Sequence, residues 1–382
     1  MIDIENMSIL IVDDMKSMRS IIKKTLRHLN LGGNIYFAEN GSAGLQVLRD
    51  KKVDLAIVDW QMPVMNGARM LDAIRSDKRF RDMPVLMITA ECERDIVYEV
   101  AEIEVDGYLL KPLTPVMLEA KIRQAVDRSN EPDKATLFAR KARALDEAGK
   151  LEQALVCQER AVELKPGASR LKRNLGVLYG RAGRIADMEK CFLGAVASNL
   201  QDAVTRNLLS EFYWKKKLWS LSVRYACQAV ALTNRFNTDA IEKGRKLLSL
   251  KQNQLAIVMF STLINKLDKN LPIKERILDH CMEKGENRYA RTLLTRMISE
   301  FPSSHGLLFK AGLVYESLGE DDKALEYFLE AEKKKIEPVA AKLKIAHMYC
   351  RKNKVLQADE YISQVLRLDP KNEAAIDLRR KL

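Results

Sequence analysis

A 34-residue period runs without a gap through residues 135–372 and restricts that part of the chain to a small group of folds. Mostly small residues recur at this spacing: Ala154, Met188, Ser222, Ala256, Ala290, Ala324 and Ala358. A second series lies twelve residues before each of these: Ala142, Gly176, Ser210, Gly244, Leu278, Gly312 and Ala346. A unit of this length forms one helical hairpin, and since it cannot bury its apolar face alone, neighbouring units must stack. The period predicts seven stacked hairpins, which begin at residues 135, 169, 203, 237, 271, 305 and 339.

Two further positions of the unit favour paired helices over a generic helical bundle. Three residues after the second series come larger side chains: Leu145, Tyr179, Tyr213, Leu247, Cys281, Tyr315 and Tyr349. Prolines close several units at Pro166, Pro302 and Pro370. This pattern resembles the tetratricopeptide family over residues 135–372, which implies an all-α superhelical solenoid that binds other proteins. Residues 373–382 are predicted to form a C-terminal capping helix.

The first 128 residues alternate strand and helix signals instead. Short apolar runs at 8–12, 34–38, 54–58, 84–88 and 106–110 are typical of strands that are buried on both faces of a parallel sheet. Amphipathic stretches follow several of these runs. Five βα units predict an α/β doubly wound domain with a five-stranded parallel sheet, over residues 1–128. The polar segment 129–134, which contains a proline, is predicted to be a linker.

Polar residues follow the predicted strands at the point where each strand ends. Asp13 and Asp14 follow the first strand and Asp59 follows the third, so three carboxylates converge at one edge of the sheet. Clustered anions repel one another unless a cation joins them, and oxygen-only ligands suit Mg²⁺. Thr89 and Lys111 end the fourth and fifth strands at the same edge. Together these groups predict a phosphoryl-transfer site, in which an aspartate can accept the phosphoryl group.

Residues 7–127 resemble the receiver domain of two-component response regulators. The matching residues are Asp13-Asp14, Asp59 within Val58-Asp-Trp-Gln-Met-Pro63, Gly67, Thr89-Ala90 and Lys111-Pro112. The resemblance implies that Asp59 accepts a phosphoryl group from a histidine kinase or a phosphotransfer protein. It implies that the receiver catalyses only its own phosphorylation and dephosphorylation, and that the chain is not otherwise an enzyme.

The same resemblance assigns roles around Asp59. The implied ligands of Mg²⁺ are Asp13, Asp14, Asp59 and the backbone carbonyl of Gln61. Thr89, Ala90 and Lys111 are implied to bind the phosphoryl group. Thr89 and Tyr108 are the implied switch pair, and a cis Lys111–Pro112 bond is expected, since proline makes that isomer accessible.

The repeat region has no motif of a DNA-binding or catalytic output domain, and its resemblance implies a groove that binds a protein segment. Positions expected to line this groove carry a basic and aromatic set: Arg170, Arg173, Arg181, Asn207, Trp214, Lys215 and Arg245. We therefore expect an acidic segment of a target protein as the partner. Dimerisation of the receiver stays open.

The net charge of +12 is divided unevenly along the chain. Residues 1–128 hold 18 Lys and Arg against 20 Asp and Glu, whereas residues 129–382 hold 46 against 32, a net of +14. Two alternatives to a signalling adaptor remain: a phosphate sink or inhibitor of its own kinase, and a nucleic-acid-binding regulator. Few aromatic residues and no reading motif make nucleic acid the weaker alternative.

Composition points to a reducing compartment. Six scattered cysteines form no CxxC pair, no apolar run reaches the length of a membrane span, and the N-terminus has no signal-peptide pattern. The cytoplasm is the predicted location.

Overall fold

A computed structural model describes residues 1–89, 106–267 and 269–382. The chain divides into two compact units, Met1–Asn234 and Arg235–Leu382. The first unit contains an α/β domain and three helical hairpins, and the second contains four hairpins and a terminal helix. The prediction for Ala90 lies outside the described residues.

The sheet of the first unit is parallel and has five strands in the order β2-β1-β3-β4-β5. The strands are β1 (Ser8–Val12), β2 (Asn34–Ala38), β3 (Leu55–Asp59), β4 (Val85–Thr89) and β5 (Gly107–Leu110). Every residue of β3 and β4 is buried, because helices cover both faces of the sheet. The predicted doubly wound fold is confirmed, and each predicted strand lies within one residue of the observed one.

Four described helices flank the sheet: α1 (Lys16–His28), α2 (Gly41–Asp50), α3 (Gly67–Ser76) and α4 (Pro115–Asn130). Leu10 and Val12 face a core that includes α3, while Ile9 and Ile11 face a core formed with α1 and α4. Helix α4 reaches Asn130, whose side chain accepts a hydrogen bond from Ile2 N and donates one to Ile2 O. The segment between α4 and the next helix is therefore residues 131–133, shorter than the predicted linker.

Among residues 134–267 and 269–382, the regular elements are helices, with no strand. The first helix of each hairpin is α5 (Lys134–Glu147), α7 (Ser169–Arg181), α9 (Ala203–Lys215), α11 (Asn237–Ser249), α13 (Leu271–Glu283), α15 (Gly306–Ser317) or α17 (Pro338–Arg351). The second helix is α6 (Leu151–Leu164), α8 (Ile185–Ser198), α10 (Trp219–Leu232), α12 (Asn253–Lys266), α14 (Asn287–Glu300), α16 (Asp321–Lys333) or α18 (Val355–Leu368). The last described helix is α19 (Glu373–Arg380). The predicted all-α fold of this region is confirmed, whereas the bounds of the repeats and the capping role of the last helix remain predictions.

The turn inside each hairpin uses one residue in the left-handed region, at the same position of all seven units. These residues are Gly149, Gly183, Lys217, Lys251, Gly285, Gly319 and Asn353. The amide of the following residue donates back into the first helix, as from Arg184 N to Tyr179 O at 2.9 Å. This is the pattern of a Schellman C-cap. It fixes the angle at which the second helix leaves each hairpin.

Two of these turns carry lysine at the left-handed position, where glycine would avoid the steric strain between the side chain and the backbone. Lys217 has φ 59° and Lys251 has φ 57°, and a side chain in this region is less favourable than glycine. We expect Lys217→Gly and Lys251→Gly each to stabilise the chain by about 0.5–1 kcal/mol. Urea unfolding measures the effect, and Gly183→Ala is the control with the opposite sign. Destabilisation by both lysine variants would contradict this account of the turn.

Three hairpins share a close packing of glycine against phenylalanine. An ideal Cβ on Gly176, Gly244 or Gly312 would lie 2.6, 2.3 or 2.4 Å from a ring carbon of Phe192, Phe260 or Phe328. In each pair the phenylalanine stands sixteen residues after the glycine. The ring thus occupies the volume that a side chain on the first helix would need.

Candidate functional site

The carboxyl ends of the strands bring together a lysine and two buried aspartates. Lys111 Nζ lies 2.9 Å from Asp59 Oδ1 and 3.1 Å from Asp13 Oδ2. Asp13 is fully buried and Asp59 is 6% exposed. The parallel register explains this convergence, because Val12 lies opposite Val58 and Thr89 lies opposite Leu110. The Lys111–Pro112 peptide bond is cis, as predicted.

Burial and pairing act in opposite directions on these groups. Burial raises the pKa of Asp59 above its ordinary value, although the hydrogen bond and charge of Lys111 oppose the rise. Burial lowers the pKa of Lys111, but its hydrogen bonds to Asp59 and Asp13 outweigh this, so its pKa is raised. Lys111 therefore stays an ammonium, held against a carboxylate that is poorly solvated.

The segment after β1 presents Asp14 to solvent beside the buried pair. Asp13 Oδ1 accepts a hydrogen bond from Met15 N at 2.9 Å. Arg19 Nη1 donates to the carbonyls of Asp13 and Asp14 at 2.5 and 3.1 Å, which holds this segment in place. Asp14 and Gln61 both line an open cavity of about 500 Å³, together with Trp60, Met62, Pro63 and Asn66. Two of the four predicted metal-binding residues, Asp14 and Gln61, thus line a cavity that is accessible from solvent.

Three of the residues predicted for phosphoryl binding and switching, Thr89, Tyr108 and Lys111, lie on β4, on β5 and directly after β5. Thr89 is buried at the end of β4, and Lys111 directly follows β5. Tyr108 is 42% exposed, so its ring is not enclosed in the core in this state. The role of Tyr108 as a switch remains a prediction.

Gly67 places the start of α3 directly against the strand that carries Asp59. An ideal Cβ on Gly67 would lie 2.2 Å from the Asp59 carbonyl oxygen, and Gly67 N donates to Trp60 O at 3.0 Å. The side chain of Asn66 caps the helix by accepting from Arg69 N at 3.0 Å. Glycine is needed here because two stretches of backbone touch.

Replacing Gly67 with alanine tests this positioning role. The added methyl group must push α3 away from the end of β3 and displace Asp59. We expect Gly67→Ala to slow phosphorylation by a small-molecule phosphodonor about tenfold or more, since small misplacements of reacting groups have large effects on rate. Intact-mass spectrometry over time measures the rate, and circular dichroism checks the fold. An unchanged rate in a folded variant would contradict the role.

The oxygen chemistry of this pocket fits a hard divalent cation. Asp13, Asp14 and Asp59 supply carboxylates, and Mg²⁺ commonly keeps water in its remaining positions. Within residues 1–89, 106–267 and 269–382, no three acidic, histidine or cysteine side chains form a ready-made metal cluster. The Lys111 ammonium contacts both Asp13 and Asp59 but offsets only one of their two negative charges, and with Asp14 the site keeps a net negative charge that suits a cation.

The residues predicted for the groove are distributed over both units. Three of the arginines form ion pairs: Arg173 with the buried Asp202 at 2.8 Å, Arg181 with Asp146, and Arg245 with Glu242 at 3.1 Å. The Trp214 ring packs edge-on against the Trp219 ring, with centroids 4.9 Å apart. Asn207 is half-buried. Arg170 and Lys215 are exposed. Arg245 belongs to the second unit, whereas the others lie in the first. The groove as a binding surface remains a prediction.

Ion pairs join consecutive hairpins of the array. In the second unit, Lys310 pairs with Asp279 at 2.6 Å and Lys344 pairs with Glu316 at 2.7 Å. Arg351 pairs with Asp321 at 2.9 Å. Each pair joins one hairpin to the preceding one. These three cations are engaged within the array, while the net charge of +14, which already counts the acidic partners, is unchanged by the pairing.

The parallel sheet with its Asp13, Asp59 and Lys111 pocket defines a receiver domain of the response-regulator class. A family profile described as the response regulator receiver domain matches residues 9–123, and tetratricopeptide-repeat profiles match residues 135–167 and 281–337. The chain belongs to the response regulator receiver family and carries tetratricopeptide repeats after the receiver.

Chemotaxis proteins are among the relatives that the receiver resembles. CheY of Pseudomonas aeruginosa is 44% identical over 124 residues, which are 32% of this chain and 99% of that protein. CheY-3 of Vibrio cholerae is 41% identical over 124 residues, 32% of this chain and 95% of that protein. The CheY homolog of Campylobacter jejuni is 36% identical over 121 residues, 31% of this chain and 92% of that protein. These relatives correspond to the receiver and not to the repeats.

Among the described helices, none has the length and apolar character that crossing a membrane requires.

Proposed function

We propose that this protein is a phosphorylation-controlled adaptor of a two-component system. Asp59 takes a phosphoryl group from a histidine kinase or a phosphotransfer protein, and the repeats bind a target protein according to the state of Asp59. The observation that carries the proposal is the Lys111 ammonium, which lies within 3.1 Å of carboxylate oxygens of both Asp59 and Asp13. That arrangement suits a group whose oxygens carry developing negative charge.

In the proposed reaction, a carboxylate oxygen of Asp59 attacks the phosphorus of a phosphohistidine. The phosphorus–nitrogen bond breaks, the nitrogen keeps the electron pair, and an acyl phosphate forms on Asp59. Lys111 pairs with the phosphoryl oxygens, and the Thr89 hydroxyl donates to them once they arrive. Burial raises the pKa of Asp59, and the hydrogen bond and charge of Lys111 oppose this rise, so Lys111 favours the carboxylate form that attacks.

Asp13, Asp14, Asp59 and the carbonyl of Gln61 are the proposed Mg²⁺ ligands. The ion, when bound, neutralises charge on the phosphoryl oxygens. Arg19 fixes the backbone of Asp13 and Asp14, and Gly67 allows α3 to approach β3. Both residues therefore position the proposed ligands without binding the ion.

Thr89 and the exposed Tyr108 are the proposed switch residues. Movement of the Thr89 hydroxyl toward the phosphoryl group opens space into which the Tyr108 ring turns. This changes the surface formed by β5 and α4, and we infer that the change alters how the array meets an acidic segment of its target. The few aromatic residues and the lack of a reading motif favour this function over nucleic-acid binding. The cytoplasm is the proposed location.

Limited proteolysis of the full chain tests the proposed coupling. Beryllofluoride, a mimic of the phosphoryl group, is added in the presence of Mg²⁺. We expect altered cleavage in residues 107–133 and in the first hairpins, and no alteration when Asp59 is replaced with alanine. Identical cleavage in both states would contradict the coupling. Capture by Asp59→Ala of a histidine kinase alone would instead support the phosphate-sink alternative.

A further inference from the structure

The loop that precedes β4 meets the first helix of the repeat region through ion pairs. Glu147, near the end of α5, accepts two hydrogen bonds from the guanidinium of Arg81, one of them at 3.3 Å. Lys78 Nζ lies 3.4 Å from the same carboxylate. The Arg81 side chain is 15% exposed and the Glu147 side chain is 28% exposed, so the pair lies at the surface with its arginine largely covered.

A second contact in the same place has the opposite polarity. Asp82 of the loop accepts a hydrogen bond from Arg143 of α5 at 2.6 Å, and Arg140 lies 3.3 Å from the same oxygen. Arg140, Arg143 and Glu147 are spaced three and four residues apart, so they share one face of the helix. The loop therefore places Arg81 against Glu147 at one end of this face and Asp82 against the two arginines at the other end. A helix shifted along the loop would bring like charges together, so the charges favour the observed alignment.

The loop is held in shape from inside the receiver. Arg75 of α3 donates to the carbonyls of Arg81 and Met83 at 3.1 and 2.9 Å. It also pairs with Asp106 at 2.9 Å, and Asp106 accepts from Val85 N at 2.8 Å. A loop ordered in this way loses little entropy when a helix packs on it.

We propose that loop 77–83 is a docking surface for α5, and that the receiver thereby caps the amino-terminal end of the repeat array. A stack of hairpins leaves its first helix without a neighbour on one side, and such arrays need a capping element there. The three-residue connection from α4 to α5 and the inclusion of both parts in one compact unit fit this arrangement.

The docking surface lies at the opposite edge of the sheet from the phosphorylation pocket. Loop 77–83 precedes β4, whereas Thr89 at the end of β4 borders the pocket. A phosphodonor therefore reaches Asp59 while α5 stays docked, so the receiver does not need to release the first hairpin in order to be phosphorylated.

Hydrogen exchange of the full chain tests this docking. Asp82→Arg places a third cation beside Arg140 and Arg143, and we expect the amides of residues 134–147 to exchange about fivefold faster. Arg143→Asp tests the pair from the repeat side with the same expected direction. The double variant Asp82→Arg/Arg143→Asp restores an attractive pair and should recover at least half of the lost protection. Lys51→Glu, an exposed receiver lysine outside the loop, is the matched control and should change nothing.

The outcome separates docking from phosphorylation. Wild-type exchange in both single variants, or no recovery in the double variant, would overturn the proposal. Beryllofluoride binding to Asp59 is measured in the same variants and should be retained. If the wild-type chain does not bind beryllofluoride at Asp59, the proposed phosphoryl chemistry is contradicted. The hydrogen-exchange result would still test docking independently.

Discussion

Replacing Asp59 with asparagine should abolish the uptake of phosphoryl groups by this chain. Asparagine keeps the size and much of the hydrogen bonding of aspartate but lacks the nucleophilic carboxylate. It also removes one of the two anions that Lys111 contacts within 3.1 Å. Incubation with a small-molecule phosphodonor and Mg²⁺, followed by intact-mass spectrometry, should show a phosphorylated species for the wild type and none for Asp59→Asn.

The matched control lies at the other end of the same strand. Asp54 precedes β3 and accepts a hydrogen bond from Ser8 N at 2.8 Å, at the amino-terminal edge of the sheet and away from the pocket. Asp54→Asn should be phosphorylated at the wild-type rate. Phosphorylation of Asp59→Asn on another residue, at a rate near that of the wild type, would contradict the assignment of the acceptor.

Replacing Gly244 with alanine should destabilise the second unit by about 1 kcal/mol, the balance between overpacking and helix propensity. Alanine favours helix over glycine by about 1 kcal/mol, but the new methyl group would lie 2.3 Å from the fully buried ring of Phe260. The ring or the helix must move, and overpacking of this kind costs about 1–3 kcal/mol and occasionally more. Gly312→Ala, which meets Phe328 at 2.4 Å, should behave in the same way in urea unfolding.

The same substitution should have the opposite sign where there is space. An ideal Cβ on Gly194 meets only the side chain of Lys172, at 3.7 Å. Gly194→Ala is therefore expected to stabilise the first unit by about 0.5–1 kcal/mol through helix propensity alone. A second check is Gly244→Ala/Phe260→Leu, which should recover part of the stability because the smaller side chain yields space. Stabilisation by both Gly194→Ala and Gly244→Ala would contradict the packing account.

The strands and the repeat could be predicted because their signals are local and repetitive. The apolar run of β3 has no polar interruption before Asp59, and the predicted strand at 54–58 is displaced by one residue from the observed Leu55–Asp59. The pattern of each single hairpin is a weak signal, but the same pattern repeats every 34 residues in seven units, which makes the prediction strong. The glycine and phenylalanine pairs also follow the 34-residue period in the sequence. Gly176 with Phe192 has its equivalents in Gly244 with Phe260 and in Gly312 with Phe328.

Other features depend on partners that sequence spacing does not reveal. Lys217 and Lys251 occupy left-handed turns although lysine is not a turn residue; only the glycines at the same position of other units point to them. Arg173 was predicted to face a ligand, but it pairs with Asp202, which lies 29 residues further along the chain. Arg81 and Glu147 belong to different domains, so the contact between the receiver and α5 became visible only in three dimensions.

Capture of partners by the full chain with and without beryllofluoride tests the central claim most directly. The wild type and Asp59→Asn are each immobilised, exposed to the same cell extract with Mg²⁺, and compared by quantitative mass spectrometry. The account predicts at least one protein whose capture by the wild type changes with beryllofluoride and whose capture by Asp59→Asn does not. The same set of proteins at the same abundance in both states of the wild type would contradict control of the repeat array by Asp59.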